Sequence, residues 1–149
     1  MKSGLLISLG LILLALIFAS CSSITGGAVE SNEELYKAAI ERYYVAVINY
    51  DVDTVLDCLD PLGPAYPDAA SIDQLRADAI DKTSPAGEVI VKKIVTLEES
   101  GSRATVKVTL FMNVDFDNNG EFFEQTYYPT FELTFKDGLW RIFNASVDE

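Results

Sequence analysis

The chain opens with an almost unbroken apolar stretch. Leu5 to Ala19 is interrupted only by Ser8 and Gly10, and Lys2 precedes it. A basic residue followed by an apolar run of this length is typical of a secretory signal peptide, and the run is short for a membrane span of about 20 residues. We therefore predict that residues 1–20 are a signal peptide and that the mature chain begins at Cys21.

The residues at the end of this run indicate how the precursor is processed. Phe18-Ala19-Ser20-Cys21 resembles the lipobox of prokaryotic lipoproteins, although Phe18 stands where Leu, Val or Ile is usual. That resemblance implies a diacylglycerol on the Cys21 thiol and an extracytoplasmic domain anchored to a cell membrane. Each buried CH₂ contributes about 0.8 kcal/mol, so two or more acyl chains would give lasting attachment. The alternatives are a soluble secreted protein cut by an ordinary signal peptidase and an uncut signal that serves as a short anchor.

A helical pattern begins after a polar connector. Residues 21–30 are small and polar with a glycine pair, which predicts a lipidated flexible tether. The box Ser31–Glu34 then predicts a helix start. The apolar positions that follow share one helical face. They are Tyr36, Ile40, Tyr43, Val47 and Tyr50.

Two shorter helices are predicted next. Asp53–Leu59 has one apolar stripe and is stopped by Asp60-Pro61. A loop rich in proline and glycine follows over 61–70. Ser71-Ile72-Asp73-Gln74 fits a second capping box and predicts a helix to about Asp81.

The period then changes from 3.6 to 2, which predicts strands. The clearest is Ala104–Val114, flanked by strands over 88–98, 121–136 and 139–147. Lys92-Lys93 break the alternation of the first strand and predict a bulge or an edge strand. Asn119-Gly120 and Asp137-Gly138 predict tight turns. Helices followed by an antiparallel meander indicate an α+β fold, with a long N-terminal helix and two short helices packed on a four-stranded sheet.

Composition excludes several functions. The net charge of −12 disfavours nucleic acid as a partner. The chain has no histidine, which removes the catalytic and metal sites that depend on one. Cys58 is interpreted as a small apolar residue, with a reactive thiol as the alternative. No cofactor is expected.

The chain resembles the nuclear transport factor 2-like superfamily over residues 31–149, and within it the small prokaryotic lipoproteins of unknown function. The resemblance rests on Asn49-Tyr50-Asp51 at the end of the first helix, the short helix ending in Asp-Pro, and the closing segment Lys136–Ile142. It implies a cone in which a curved sheet wraps the long helix around a pocket. The resemblance also implies a homodimer formed through the sheet. Fold alone does not select an activity.

Candidate pocket residues are mostly aromatic. Phenols on the first helix, together with a tryptophan, could bind a small apolar or amphipathic molecule or could simply fill the core. These residues are Tyr36, Tyr43, Tyr44, Tyr50 and Trp140. Our main hypothesis is a non-catalytic binding or accessory domain, with an envelope protein on the outer sheet face near Phe111 and Tyr127 or Tyr128 as a second type of partner.

Two further hypotheses are kept. An isomerase- or dehydratase-like enzyme would need an inward carboxylate, but the inward face of Ala104–Val114 is apolar, and Asp115 is expected on the opposite face with Asn113. A weak calcium site is suggested by Asp115, Asp117 and Asn119, which match the start of a calcium loop. Thr126 stands where that loop needs its glutamate, and a plain hairpin turn is the alternative.

Overall fold

A computed structural model describes residues 32–147. The signal peptide, the tether with Cys21, and Ser31 of the first capping box lie outside the described residues. Three helices precede five strands. The helices are α1 (Asn32–Ile48), α2 (Val52–Cys58) and α3 (Ala69–Ala79). The strands are β1 (Ala86–Ser100), β2 (Arg103–Asp115), β3 (Phe123–Tyr127), β4 (Pro129–Lys136) and β5 (Leu139–Val147).

The strands form one antiparallel sheet in the order β1-β2-β4-β5, with β3 also paired to β2. The predicted α+β class is therefore confirmed. The bulge predicted at Lys92-Lys93 appears as a register shift between Val91 and Lys93. Asp137 and Gly138 both have positive φ, 54° and 81°, so the tight turn between β4 and β5 is also confirmed.

The sheet has five strands rather than the four predicted. The segment predicted as a single strand over 121–136 is divided at Tyr128 into β3 and β4, which pair with different parts of β2. Pro129 begins β4, and proline has no N–H to donate, so a continuous ladder is interrupted at this position.

The starts of the helices also differ from the predictions. α3 begins at Ala69 because the Asp68 side chain accepts a hydrogen bond from the Ser71 N–H at 2.7 Å. Ser71 therefore lies inside the first turn and is not the cap. α2 is capped in the same way by Asp51, which accepts from the Thr54 N–H at 3.1 Å. In both α2 and α3, the aspartate just before the helix therefore fixes where the helix begins.

The core lies between α1 and the sheet. From α1, Tyr36 and Ile40 are fully buried, as the helical period predicts. From the sheet, the alternate residues of β2 and β4 face them, including Val106, Phe131 and Leu133. Tyr43 and Tyr44 are partly buried against the same cluster, so side chains occupy the space between α1 and the sheet.

The segment after α2 closes the outer edge of β5. The Asp60 N–H donates to the Ile142 carbonyl at 2.8 Å, and the Ala65 N–H donates to the Phe143 carbonyl at 3.2 Å. A Cβ on Gly63 would collide with the Phe143 carbonyl, so this close approach requires glycine. The Asp60 side chain is buried, and it accepts hydrogen bonds from the Thr134 hydroxyl at 2.6 Å and the Leu62 N–H at 3.0 Å.

We expect Asp60→Asn to reduce the free energy of unfolding at neutral pH by about 1–3 kcal/mol, because a charged acceptor with two partners is lost. The hydrogen bonds from Thr134 and Leu62 hold the pKa of Asp60 below 3.8. The carboxylate therefore stabilises the fold above that pH, and the stabilisation disappears as pH falls through the lower, folded-state pKa. Urea denaturation of the wild type and Asp60→Asn, from neutral pH down to about pH 3, is the measurement. The difference between their free energies of unfolding should become smaller as the pH falls.

Asp57→Asn is the matched control, because Asp57 is exposed and its ion pair with Arg42 is long, at 3.8 Å. A difference between wild type and Asp60→Asn that stays constant with pH would contradict the role given to the carboxylate.

Candidate functional site

An apolar pocket of about 440 Å³ lies among the three helices and the loop that joins α2 to α3. This volume is within the range of small-molecule sites, about 300–1,000 Å³. Its wall is mainly aliphatic and aromatic. The lining residues are Tyr43, Ala46, Val47, Tyr50, Val52, Val55, Leu59, Ala65, Pro67, Leu75, Asp78, Ala79 and Lys82.

The turn from α1 to α2 shapes one side of the pocket. Tyr50 has a φ of 56°, a left-handed conformation that ends α1, and Asp51 then caps α2. This reversal brings Val52 and Val55 beside the C-terminal part of α1, which contributes Ala46 and Val47. Val47 keeps 40% of its surface exposed even though it lies on the apolar side of the helix. Its exposed surface is part of the pocket wall.

α3 forms the other side. None of its residues, all of which the structure describes, is buried, and Leu75 is 43% exposed. Arg76 ties α3 to α2 through a 2.8 Å ion pair with Asp53. The charged side chains in the lining, Asp78 and Lys82, are exposed and so lie at the mouth. The pocket therefore combines an apolar interior with one charge of each sign at its rim.

Two of the five candidate aromatic residues line this pocket, Tyr43 and Tyr50. Burial, together with the nearby Cys58 thiol, raises the pKa of Tyr43 above its usual value of 10.0. The phenol therefore stays protonated at neutral pH and can donate a hydrogen bond to a ligand. Cys58 itself is a free, buried thiol whose pKa is raised by burial, as expected for a packed apolar residue.

The other three candidates lie in the core. Tyr36 meets Trp140 edge to face at 4.8 Å between ring centroids, and Tyr44 meets Phe131 at 6.3 Å. Burial raises the pKa of both tyrosines to about 12, with added effects of Glu99 on Tyr36 and of Tyr43 on Tyr44. The Tyr36 hydroxyl is buried, with Glu99 close to it. The structure thus separates Tyr36, Tyr44 and Trp140 from the pocket.

The pocket residues from α3 and the preceding loop were not predicted from the sequence. Leu75 and Ala79 stand four residues apart on α3, beyond a loop containing Ala65 and Pro67. The available signal was an apolar i, i+4 pair on a helix that also carries charged residues. Such a pair does not reveal which element it faces.

The residues considered for calcium lie at the end of β2 and in the turn between β2 and β3. Asp115 is buried at 3% exposure, although it directly follows the core residue Val114 in the alternation of β2. Its carboxylate accepts hydrogen bonds from the N–H groups of Asn119, at 3.1 Å, and Gly120, at 2.7 Å. The Asn119 side chain accepts from the Glu121 N–H at 2.8 Å. These hydrogen bonds explain the burial, since the turn closes over Asp115.

The described residues contain no group of three or more Asp, Glu, Cys or His side chains placed to hold a metal ion. The weak calcium site stays a prediction. Of the aromatic residues expected on the outer sheet face, Tyr128 is 55% exposed, whereas Phe111 and Tyr127 are partly buried. No helix within residues 32–147 has the length and apolar character needed to cross a membrane.

No family model matches the sequence, and no curated protein matches it either. Solved structures do resemble it. A candidate aromatic ring hydroxylase from Novosphingobium aromaticivorans has a TM-score of 0.61 at 13% identity, over 82% of this chain and 91% of that one. The CamKII hub homology domain of Chlamydamonas reinhardtii has a TM-score of 0.60 at 14% identity, over 80% and 100%.

A third similar structure is named after nuclear transport factor 2. It is an Ntf2-like protein involved in plasmid conjugation, with a TM-score of 0.54 at 8% identity, over 83% of this chain and 41% of that one. The roles printed for these three proteins differ, so the likeness concerns the fold. The helices packed on an antiparallel sheet, together with these matches, show that the chain has the nuclear transport factor 2-like fold.

Proposed function

We propose that the protein is a lipid-anchored, extracytoplasmic domain that binds a small apolar or amphipathic molecule in the pocket among α1, α2 and α3. The observation that carries the proposal is the pocket itself. Its wall leaves the apolar side chains of Leu75 and Val47 43% and 40% exposed around a single concave space. Covering such a wall with an apolar ligand is favourable by about 25 cal/mol per Å² of apolar surface removed from water.

The polar groups of the pocket suit orientation of a ligand better than covalent chemistry. Tyr43 has a raised pKa and offers a hydrogen-bond donor, while Asp78 and Lys82 lie at the mouth. Proton transfer of the isomerase type needs a carboxylate beside the bound molecule. The carboxylate available, Asp78, accepts a hydrogen bond from the Gln74 amide at 2.7 Å and is exposed. We therefore favour a non-catalytic role over the isomerase- or dehydratase-like alternative.

The pocket can be tested by filling it. We expect Ala79→Trp to abolish saturable binding of the apolar fluorophore N-phenyl-1-naphthylamine, because an indole on α3 would occupy the space between α3 and α1. Fluorescence titration of the purified full chain would measure the affinity. Ala77→Trp is the matched control, since Ala77 lies on the same helix, is exposed and does not line the pocket.

Wild-type protein that shows no saturable fluorescence increase would contradict the proposal. Equal affinities of the wild type and Ala79→Trp would contradict it as well, because the fluorophore would then bind elsewhere.

We also propose that Cys21 carries the lipid anchor and that the protein forms a homodimer. The likeness to a hub homology domain supports the homodimer. Sedimentation velocity of the full chain would test it.

A further inference from the structure

The loop between β2 and β3 carries an exposed aromatic patch. Phe116, Phe122 and Phe123 keep 46%, 52% and 44% of their surfaces exposed, and the rings of Phe116 and Phe123 are 6.2 Å apart. We call the contacting rings of Phe116 and Phe123, together with Phe122, which precedes Phe123 in the chain, the hairpin patch. Single exposed apolar residues are ordinary, but adjacent exposed aromatic rings are characteristic of interaction sites.

The hairpin patch is held by a structured loop. The buried Asp115 carboxylate accepts hydrogen bonds from the N–H groups of Asn119 and Gly120, and the Asn118 side chain accepts from the Ala86 N–H at 3.1 Å. The loop is thus tied to both β2 and the start of β1. A surface that is ordered before binding loses less conformational entropy when a partner docks.

The surroundings of the hairpin patch are acidic. Asp117, Glu121 and Glu124 are all exposed beside it. The sequence contains no Lys or Arg from residue 108 to residue 135. Charge complementarity therefore favours a partner with basic side chains next to apolar ones.

β3 adds an open backbone edge. Within residues 32–147 it pairs only with β2, and its first three residues, Phe123, Glu124 and Gln125, are exposed. The N–H and C=O groups along its other side are oriented to receive a further strand. An extended peptide could pair there while its side chains contact the hairpin patch.

The hairpin patch lies at the end of the sheet away from the point where the chain enters the domain. At one end of β1, Glu99 accepts a hydrogen bond from the Asn32 amide at 2.6 Å, at the start of α1. At the other end, Ala86 pairs with Asp115 beside the patch. The 15 residues of β1 span about 45 Å between these ends.

We propose that the hairpin patch and the open edge of β3 form a docking site for an extended segment of another protein that combines basic and apolar side chains. A second copy of this chain would bring the same carboxylates face to face, which disfavours self-association through this surface. An anionic membrane surface would be repelled by the same charges.

The test uses the purified full chain and a short peptide of alternating lysine and valine, with alternating glutamate and valine as the matched probe. We expect the lysine peptide to bind and to shift the backbone NMR signals of β3, and the glutamate peptide to have no effect. Changing Asp117, Glu121 and Glu124 to lysine should weaken binding about tenfold or more. The control changes the exposed Glu34, Asp73 and Glu98 to lysine, which alters net charge equally.

Phe122→Ser tests the aromatic part separately and should also weaken binding of the lysine peptide. Equal losses in the two triple variants would overturn the proposal, because net charge alone would then explain binding. Absence of binding to the wild type, or NMR shifts confined to residues outside β3 and its loop, would overturn it too.

Discussion

Replacing Phe131 with alanine is expected to lower the free energy of unfolding by about 3–5 kcal/mol. Phe131 is fully buried in β4, opposite Val106 of β2, and its ring meets Tyr44 of α1 edge to face. It therefore joins the central strands to the long helix, and its removal leaves a cavity that neither can close without moving. Because small domains have total stabilities of about 5–15 kcal/mol, the loss is large. Urea denaturation of the full chain measures it.

Phe122→Ala is the control for this prediction. Phe122 is 52% exposed in the loop between β2 and β3, so its truncation should change the free energy of unfolding by less than about 0.5 kcal/mol. Equal costs for the two substitutions would show that the core is not organised around Phe131.

Replacing Cys21 with serine is expected to remove all covalent lipid from the protein, because a hydroxyl cannot take the place of the thiol in a thioether linkage. Intact mass spectrometry of the membrane-extracted protein is the appropriate measurement. The wild type should begin at Cys21 and carry the added mass of acyl chains. The serine variant should carry none. Fractionation alone is insufficient, since an uncut signal peptide would also hold the variant at a membrane.

Cys58→Ser is the control, because Cys58 is buried in the domain and should remain unmodified. A wild-type protein with an unmodified amino terminus downstream of Cys21 would contradict the anchor and support the soluble, secreted alternative.

The elements that periodicity describes were predictable. α1 is one helix because its apolar residues repeat at helical spacing, and Tyr36 and Ile40 are buried as that spacing requires. β2 alternates from Ala104 to Leu110, and Ala104, Val106 and Val108 all face the core. The turn at Asp137-Gly138 was predictable because only a few residue types tolerate positive φ.

The features that were not predicted depend on how the chain folds back at the end of a strand. Asp115 is buried because the loop after β2 folds back over it. The N–H groups of Asn119 and Gly120 then donate hydrogen bonds to its carboxylate. The division of β3 from β4 depends on which part of β2 each meets. Neither fact follows from the alternation of a single strand.

The pocket illustrates the same limit. The helical period placed Tyr43 on one face of α1 with Tyr36, but it could not distinguish the pocket, which Tyr43 and Tyr50 line, from the core occupied by Tyr36 and Tyr44. That distinction arises because α2 packs against α1 after the turn at Tyr50, α3 packs against α2, and the pocket is left among the three helices.

The measurement that tests the proposed binding function most directly is NMR of the full chain with bound N-phenyl-1-naphthylamine. We predict intermolecular nuclear Overhauser effects from the fluorophore to the rings of Tyr43 and Tyr50 and to the side chain of Leu75. Contacts only to the hairpin patch, or none to any pocket residue, would contradict the account.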